Sequence, residues 1–398
     1  MAWVSLGKLL LFACALVYLG IRLTQGQKDT VLHSLWSVRV ILLSLLAFAL
    51  SLGWSEAPSD IALMAFAKHS KLLEIALLVS LIRNAREARL AVAAFLVSQA
   101  FFILSSWLMV AGFRVPWATS MLVPELKFVV YSTYLDQTLI FSAAAAVFWH
   151  LRKLWPRASW AAGTLAIAAL VNNLFFQEGR TGYLSVMVVA TLIIVWQMPK
   201  NWQLATLVLA PLLLLTGAYV GSDKLQARLS QVATESQSYA AQGASETSSG
   251  FRLHAWRRSL QAMAQQPVVG HGVGSWTQSV KRIEGANAQQ VFGDNPSSNP
   301  HQEFLLWGVE LGVGGTLLLL VLIASVVRDA WRFTAPIMRA TLSVLAVMGV
   351  ACLFNSSLYD ALIGDFFCIT LGLLLALGVR GQASDSTSVH PDPTNAAA

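Results

Sequence analysis

Charge is what this chain has least of. Charged residues make up 12 % of its 398 residues and hydrophobic ones 56 %, whereas an average soluble domain is about a quarter charged. With a mean hydropathy of +0.62, a water-soluble globule could not cover its own core, and the same scarcity excludes a disordered polymer or a coiled coil. Cysteine is nearly absent: Cys14, Cys352 and Cys368 all lie in apolar runs, which suits small core residues and not a disulfide scaffold or a metal site. Acidic residues are outnumbered, 20 against 27 basic, for a net charge of +7. In a soluble chain that excess would point to nucleic acid. In a membrane chain Lys and Arg collect in cytoplasmic loops, so no nucleic-acid partner is expected. Also missing are an HExxH sequence, an acidic pair on a loop and a Cys/His cluster, and His254, His271 and His301 are not spaced as a local metal site. No metal and no cofactor is therefore expected, and an enzyme built here would use arginines in place of a cation.

What is present is a series of apolar stretches, each near the 20 residues that a spanning helix needs. Eleven are read, at about 3–22, 36–54, 61–82, 89–112, 134–152, 158–176, 181–198, 203–221, 303–327, 337–354 and 358–379. The first has only Lys8 ahead of its apolar run and further spans after it, so it reads as a span and not a signal peptide. Alternate short loops divide the basic residues unequally. One set holds Arg22, Lys28, Arg83, Arg86, Arg89, Arg152, Lys153, Arg157, Lys200, Arg328, Arg332, Arg339 and Arg380; the other holds Arg114, Lys127 and Arg180. The positive-inside rule places the first set and the C-terminus in the cytoplasm. With eleven spans the N-terminus is external.

The expected class is an all-α polytopic membrane protein, with helices over 1–221, an external helical segment over 222–302, further spans over 303–380 and a polar, disordered cytoplasmic tail over 381–398. In the external segment, Leu225, Leu229, Val232 and Tyr239 share a helical face over 224–239. Residues 241–250 read as a flexible turn. A second helix, with Phe251, Trp256, Leu260 and Met263 apolar, runs over 251–265 and stops before Pro267. A loop rich in Gly, Asn, Pro and Ser follows as far as His301. Within the third span, Lys71 and Glu74 stand three apart and can pair, beside Lys68 and His69; such groups are either structural or functional.

Four external features are unusual. Gln177–Tyr183 is a short turn in which Gly179 and Gly182 flank Arg180; an arginine there suits either snorkelling at the interface or a two-point grip on phosphate. Gly250–Trp256 places Arg252 in the first turn of the expected helix, as part of a basic face or as a second anion contact. Pro267–Trp276 carries Gly270, Gly272 and Gly274; it lacks the spacing of a dinucleotide fingerprint and reads as a backbone turn that positions its neighbours. Asn299–Leu305 puts His301 at the water–membrane boundary, with Glu303 and Glu310 on the helix after it. The imidazole there is a helix-start polar group or a proton acceptor.

The ordered set, GRTGYL, GFRLHAW, PVVGHGVGSW and HQEFLLWGVELGVGG, resembles the bacterial O-antigen ligases and polymerases, membrane glycosyltransferases that use polyprenyl-linked sugars. The motifs cover about residues 170–330. The resemblance implies a GT-C-like fold of eleven or twelve spans with a small periplasmic helical domain, in the bacterial inner membrane, with the site on the periplasmic face. Family members usually have twelve spans and both ends cytoplasmic, one more than the eleven counted. The implied reaction is an inverting, metal-independent transfer from an undecaprenyl-diphosphate-linked glycan donor to a hydroxyl of a lipid A–core acceptor. Arg180 and Arg252 would hold the diphosphate, His301 would take the hydroxyl proton, and Gly179, Gly182, Gly272 and Glu303 would support them, with membrane lipids around both substrates. Three other readings remain: a polymerase, a protein O-oligosaccharyltransferase (which usually carries a further periplasmic domain), and, from another class, a polyprenyl-lipid flippase. A carrier would be expected to place its charges near mid-membrane.

Overall fold

The computed structural model describes residues 34–221, 223–242, 247–287 and 299–388, with a few single positions between 13 and 24. Apart from those positions, the first expected span lies outside the described residues. Among the described residues the chain is a polytopic all-α membrane protein with no strand. Seven of the described helices are long and apolar enough to cross a membrane.

The chain runs through α1 (Trp36–Ser51), α2 (Ser59–His69), α3 (Leu73–Leu81), α4 (Ala85–Val110), α5 (Tyr134–Leu151), α6 (Ser159–Phe175) and α7 (Arg180–Val195). It continues with α8 (Lys200–Gly221), α9 (Asp223–Gln242), α10 (Ser248–Gln265), α11 (Trp276–Glu284), α12 (Glu303–Ala330), α13 (Ala335–Phe354) and α14 (Ala361–Ser388). Helix α5 is the hub and packs on α6, α7 and α13. Its run Ala143–Ala146 is fully buried, because small side chains let neighbouring helices approach closely where no water drives them together. At the far end of α12 from His301, buried Asp329 accepts hydrogen bonds from Trp36 N and from Ser37 N and Oγ. A carboxylate thereby satisfies the orphan donors that open α1.

Four local outcomes differ from the sequence reading. The stretch 61–82 is helical almost throughout, as read, but tightens into a 3-10 turn at Ser70–Leu72 between α2 and α3. There the Lys71 ammonium donates to the carbonyls of Tyr359 at 3.2 Å and Asp360 at 2.6 Å, and Glu74 is fully buried. The loop before His301 contains α11, whose Trp276, Val280 and Ile283 recur at helical spacing; the first two are buried in the core. Helix α10 starts at Ser248, capped by the Thr247 hydroxyl accepting from Gly250 N, so Arg252 stands in its second turn. Helix α14 runs on to Ser388, past the expected start of the tail, and residues 389–398 lie outside the described ones.

The glycine loop is explained by a break in α12. Gly312 has φ 70° and ψ −164° inside that helix, which interrupts its hydrogen-bond ladder. The loop over 267–274 lies against the break: His271 N donates to Val309 O, Gly272 N to Glu310 O, and Val313 N donates to Pro267 O. Glu310 also accepts from Gly274 N through Oε1 and binds His69 through Oε2, each at 2.8 Å. This buried seam fixes the external segment onto the bundle.

Candidate functional site

Arg180 opens α7, directly after Gly179. The close approach of α7 to α5 places it there: a Cβ on Gly182 would stand 2.6 Å from Thr138 Cβ, and one on Gly179 would stand 3.1 Å from Thr138 Oγ1. Only glycine at 182 lets the first turn of α7 lie this close to α5.

Arg180 and Arg252 line one cavity of about 400 Å³. Thr181, Tyr183, Leu184 and Met187 of α7 form one wall; Leu215 of α8, Val232 of α9, Trp256 of α10 and Phe354 of α13 complete much of the rest. The two guanidinium groups differ. Arg180 donates to Ser249 Oγ at 2.7 Å and to Glu235 at 3.3–3.4 Å. Among the described residues Arg252 makes no direct hydrogen bond or ion pair, and it is half-buried. Burial, followed by the like charge of Arg180, lowers the Arg252 pKa below its usual value. Burial alone would raise that of Glu235, but the hydroxyl and backbone N–H of Ser249 and the Arg180 guanidinium hold it down at about 2. Two guanidinium groups facing one cavity can bind an anion through paired hydrogen bonds.

Below the arginines the cavity turns apolar and leads on. Leu184, Met187 and Leu215 also line a second cavity of about 340 Å³ between α7 and α8, which continues past Val188, Leu192, Leu207, Pro211 and Leu212. The arginine pair thus sits at the head of an apolar trough between α7 and α8.

His301 does not line the cavity. It is tied to the cavity wall from behind. Trp256 Nε1 donates to Pro300 O at 3.0 Å, and Phe251, next to Arg252, meets the His301 ring edge-on at 5.9 Å. The residue sits in a left-handed turn, φ 50°, with its own N–H bound to Asn299 Oδ1. Its Nδ1 lies 2.8 Å from Asn355 Oδ1, and Asn355 Nδ2 donates to Asp360 Oδ2 at 2.9 Å. The carboxylate fixes which way the amide faces. The amide oxygen must then accept from an Nδ1–H, so the lone pair resides on Nε2.

The structure separates the supporting candidates. Gly179 and Gly182 shape the Arg180 turn. Gly272 does not reach the arginines: it has φ +85°, and a Cβ there would stand 2.3 Å from Ser55 Cα, so it seats the glycine loop on the bundle. Glu303 is fully buried and accepts from Trp307 Nε1, Leu358 N and Tyr359 N. It anchors the 355–360 loop that carries Asn355 and Asp360, which places it behind His301. Asn355, Asp360, Glu235 and Ser249 were not singled out from sequence. Asp360, an acid at the head of an apolar run that also holds Asp365, was a detectable signal. Glu235, one acid on a polar helix, gave none. Among the described residues no group of three or more His, Cys, Asp and Glu could hold a metal ion.

Comparison with known families matches residues 165–320 to the model described as O-antigen ligase. That segment runs from α6 into α12 and contains Arg180, Arg252, the glycine loop and His301. No curated protein gives a significant match to the chain.

Proposed function

We propose, from the match of residues 165–320 to the family model described as O-antigen ligase, that the chain is an O-antigen ligase. It transfers O-antigen glycan from undecaprenyl diphosphate to a hydroxyl of the lipid A–core oligosaccharide, on the periplasmic face of the bacterial inner membrane. The observation that carries this reading is the arginine pair at the head of an apolar trough. A polyprenyl diphosphate has that shape and polarity, a doubly charged head on a long hydrocarbon tail.

In the reaction the acceptor oxygen forms a bond to the anomeric carbon while the bond from that carbon to the diphosphate oxygen breaks, with inversion. The electron pair leaves with undecaprenyl diphosphate, whose growing negative charge Arg180 and Arg252 neutralise. The hydroxyl proton passes to His301 Nε2, the nitrogen left open when Asn355 occupies Nδ1. The guanidinium groups do the work that a metal or nucleotide would do elsewhere, so neither is needed.

The test is transfer by the purified full-length protein in detergent with EDTA present. It uses undecaprenyl-diphosphate-linked glycan and three acceptors in parallel: lipid A–core, a second lipid-linked repeat and a pilin-like protein. Product on lipid A–core alone is expected. Product on the second repeat alone makes the protein a polymerase, product on the pilin alone makes it a protein glycosyltransferase, and no new bond with any acceptor returns the flippase reading.

A further inference from the structure

Arg180 does not wait empty in this site. The Glu235 carboxylate lies against its guanidinium through three contacts of 3.3–3.4 Å. The same carboxylate accepts from the backbone N–H of Ser249 at 3.1 Å, the second residue of α10 and one of the donors that a helix start leaves without a partner. Gln231 Nε2 adds a contact at 2.8 Å. A guanidinium and a helix N-terminal N–H are the donors that a phosphate oxygen would take. The arrangement is asymmetric: Glu235 touches Arg180 directly but reaches Arg252 only through the longer-range effect of its charge. Glu235 itself is buried behind Arg180 and Ser249 and does not line the cavity.

We propose that Glu235 is a built-in competitor for the diphosphate: it occupies Arg180 and the start of α10 in the empty site, yields them in part to the arriving donor, and weakens the hold on the departing undecaprenyl diphosphate. This rests on the reading of the arginine pair as the diphosphate site. The physical reason is that a leaving group bound by two unopposed guanidinium groups would leave slowly. A fixed carboxylate within reach of one of them lowers the affinity for every diphosphate state while Arg252 keeps its full charge. The carboxylate is anionic throughout the neutral range, since its pKa is held at about 2. A mere positioning role for Glu235 predicts the opposite sign: loss of its charge would loosen Arg180 and weaken anion binding.

The experiment measures binding of inorganic pyrophosphate to the full-length protein in detergent by calorimetry, and its inhibition of glycan transfer. Glu235→Gln keeps the shape and an oxygen for Ser249 N–H but removes the charge. It is expected to bind pyrophosphate roughly 5-fold more tightly, the upper scale of one solvent-screened ion pair, and to be inhibited at correspondingly lower concentration. Glu235→Asp, one methylene shorter, withdraws the charge from Arg180 and is expected to tighten binding by less; it serves if the glutamine variant does not fold. Unchanged or weaker binding in the folded variants overturns the competitor role. Arg252→Ala is the control on the underlying reading: if it leaves pyrophosphate binding intact, the diphosphate site itself is misplaced, whatever Glu235 does.

Discussion

His301 Nδ1 and Asn355 Oδ1 lie 2.8 Å apart although 54 positions separate them in the chain. The contact joins the turn before α12 to the turn after α13 and sets the imidazole tautomer. Asn355→Ala should leave the ring free to rotate. Transfer is expected to fall roughly 10–100-fold, the scale known for losing the partner that orients a metal-bound imidazole, with donor binding unchanged. Asn355→Asp should retain more activity than alanine, because a carboxylate also accepts from Nδ1–H. The sign of its pH effect is fixed. A carboxylate beside the ring favours the protonated imidazole, raises its pKa, and moves the rising limb of the rate profile to higher pH. A limb that stays in place, or moves down, removes His301 as the base oriented by Asn355.

The arginines and the histidine should separate in kinetics. Arg180→Ala or Arg252→Ala removes a charge-assisted contact worth about 1.5–3 kcal/mol and should weaken both donor binding and transfer. Lysine should rescue poorly, since one ammonium cannot make a planar two-point contact. His301→Ala should leave donor binding nearly intact and slow transfer by roughly 10²–10⁴ if proton removal is its whole role. His301→Gln should not restore the rate, because an amide accepts no proton at neutral pH. Binding of an undecaprenyl-diphosphate analogue, measured beside transfer for each variant, decides the matter. Lost binding in His301→Ala with intact binding in Arg252→Ala would reverse the assigned roles.

Helix positions were legible because hydropathy and loop charge report burial in lipid directly. The described helices fall at ten of the eleven expected stretches. Arg180 stood out because a short turn displays it, and Arg252 because the sequence set it near a helix start, one turn earlier than the structure does. The partners behind them did not. Glu235 meets Arg180 across 55 positions, and Asp360, read as part of the span 358–379, meets Asn355 in the turn before it. Contacts made by packing leave no period in the sequence. The 3-10 turn at Ser70–Leu72 was hidden for a related reason: its Lys71 donates to the carbonyls of Tyr359 and Asp360, from another part of the chain.

Two helical glycines give a test of how α7 is seated. Gly182 faces Thr138 with no room for a Cβ, whereas a Cβ on Gly163 of α6 would meet nothing within 4 Å. Gly182→Ala should push α7 from α5, cost about 1–3 kcal/mol as overpacking, and weaken donor binding through the shift of Arg180. Gly163→Ala should be neutral or stabilising by up to about 1 kcal/mol, the helix preference of alanine. Thermal unfolding of the two variants in one detergent compares them directly. Equal melting temperatures would mean that α7 is free to slide and that the glycine turn does not fix Arg180.

The last prediction concerns which side of the membrane the arginine cavity faces. Basic residues in short loops divide 13 to 3, which assigns Arg180 and the whole 222–300 segment to the external side. Ser248 is exposed at the first turn of α10, close in sequence to the Arg180 contact Ser249, and Arg157 is exposed in a loop of the opposite set. Cys14 is the exposed native thiol, while Cys352 and Cys368 are buried, so the background for labelling is Cys14→Ser. In intact spheroplasts a membrane-impermeant thiol reagent should label Ser248→Cys at once and Arg157→Cys only after permeabilisation. The polyprenyl-linked donor and the acceptor must meet on one face, and both arginines are fixed to that face by α7 and α10. The reverse labelling pattern would therefore put the cavity in the cytoplasm and remove the transfer mechanism together with the topology.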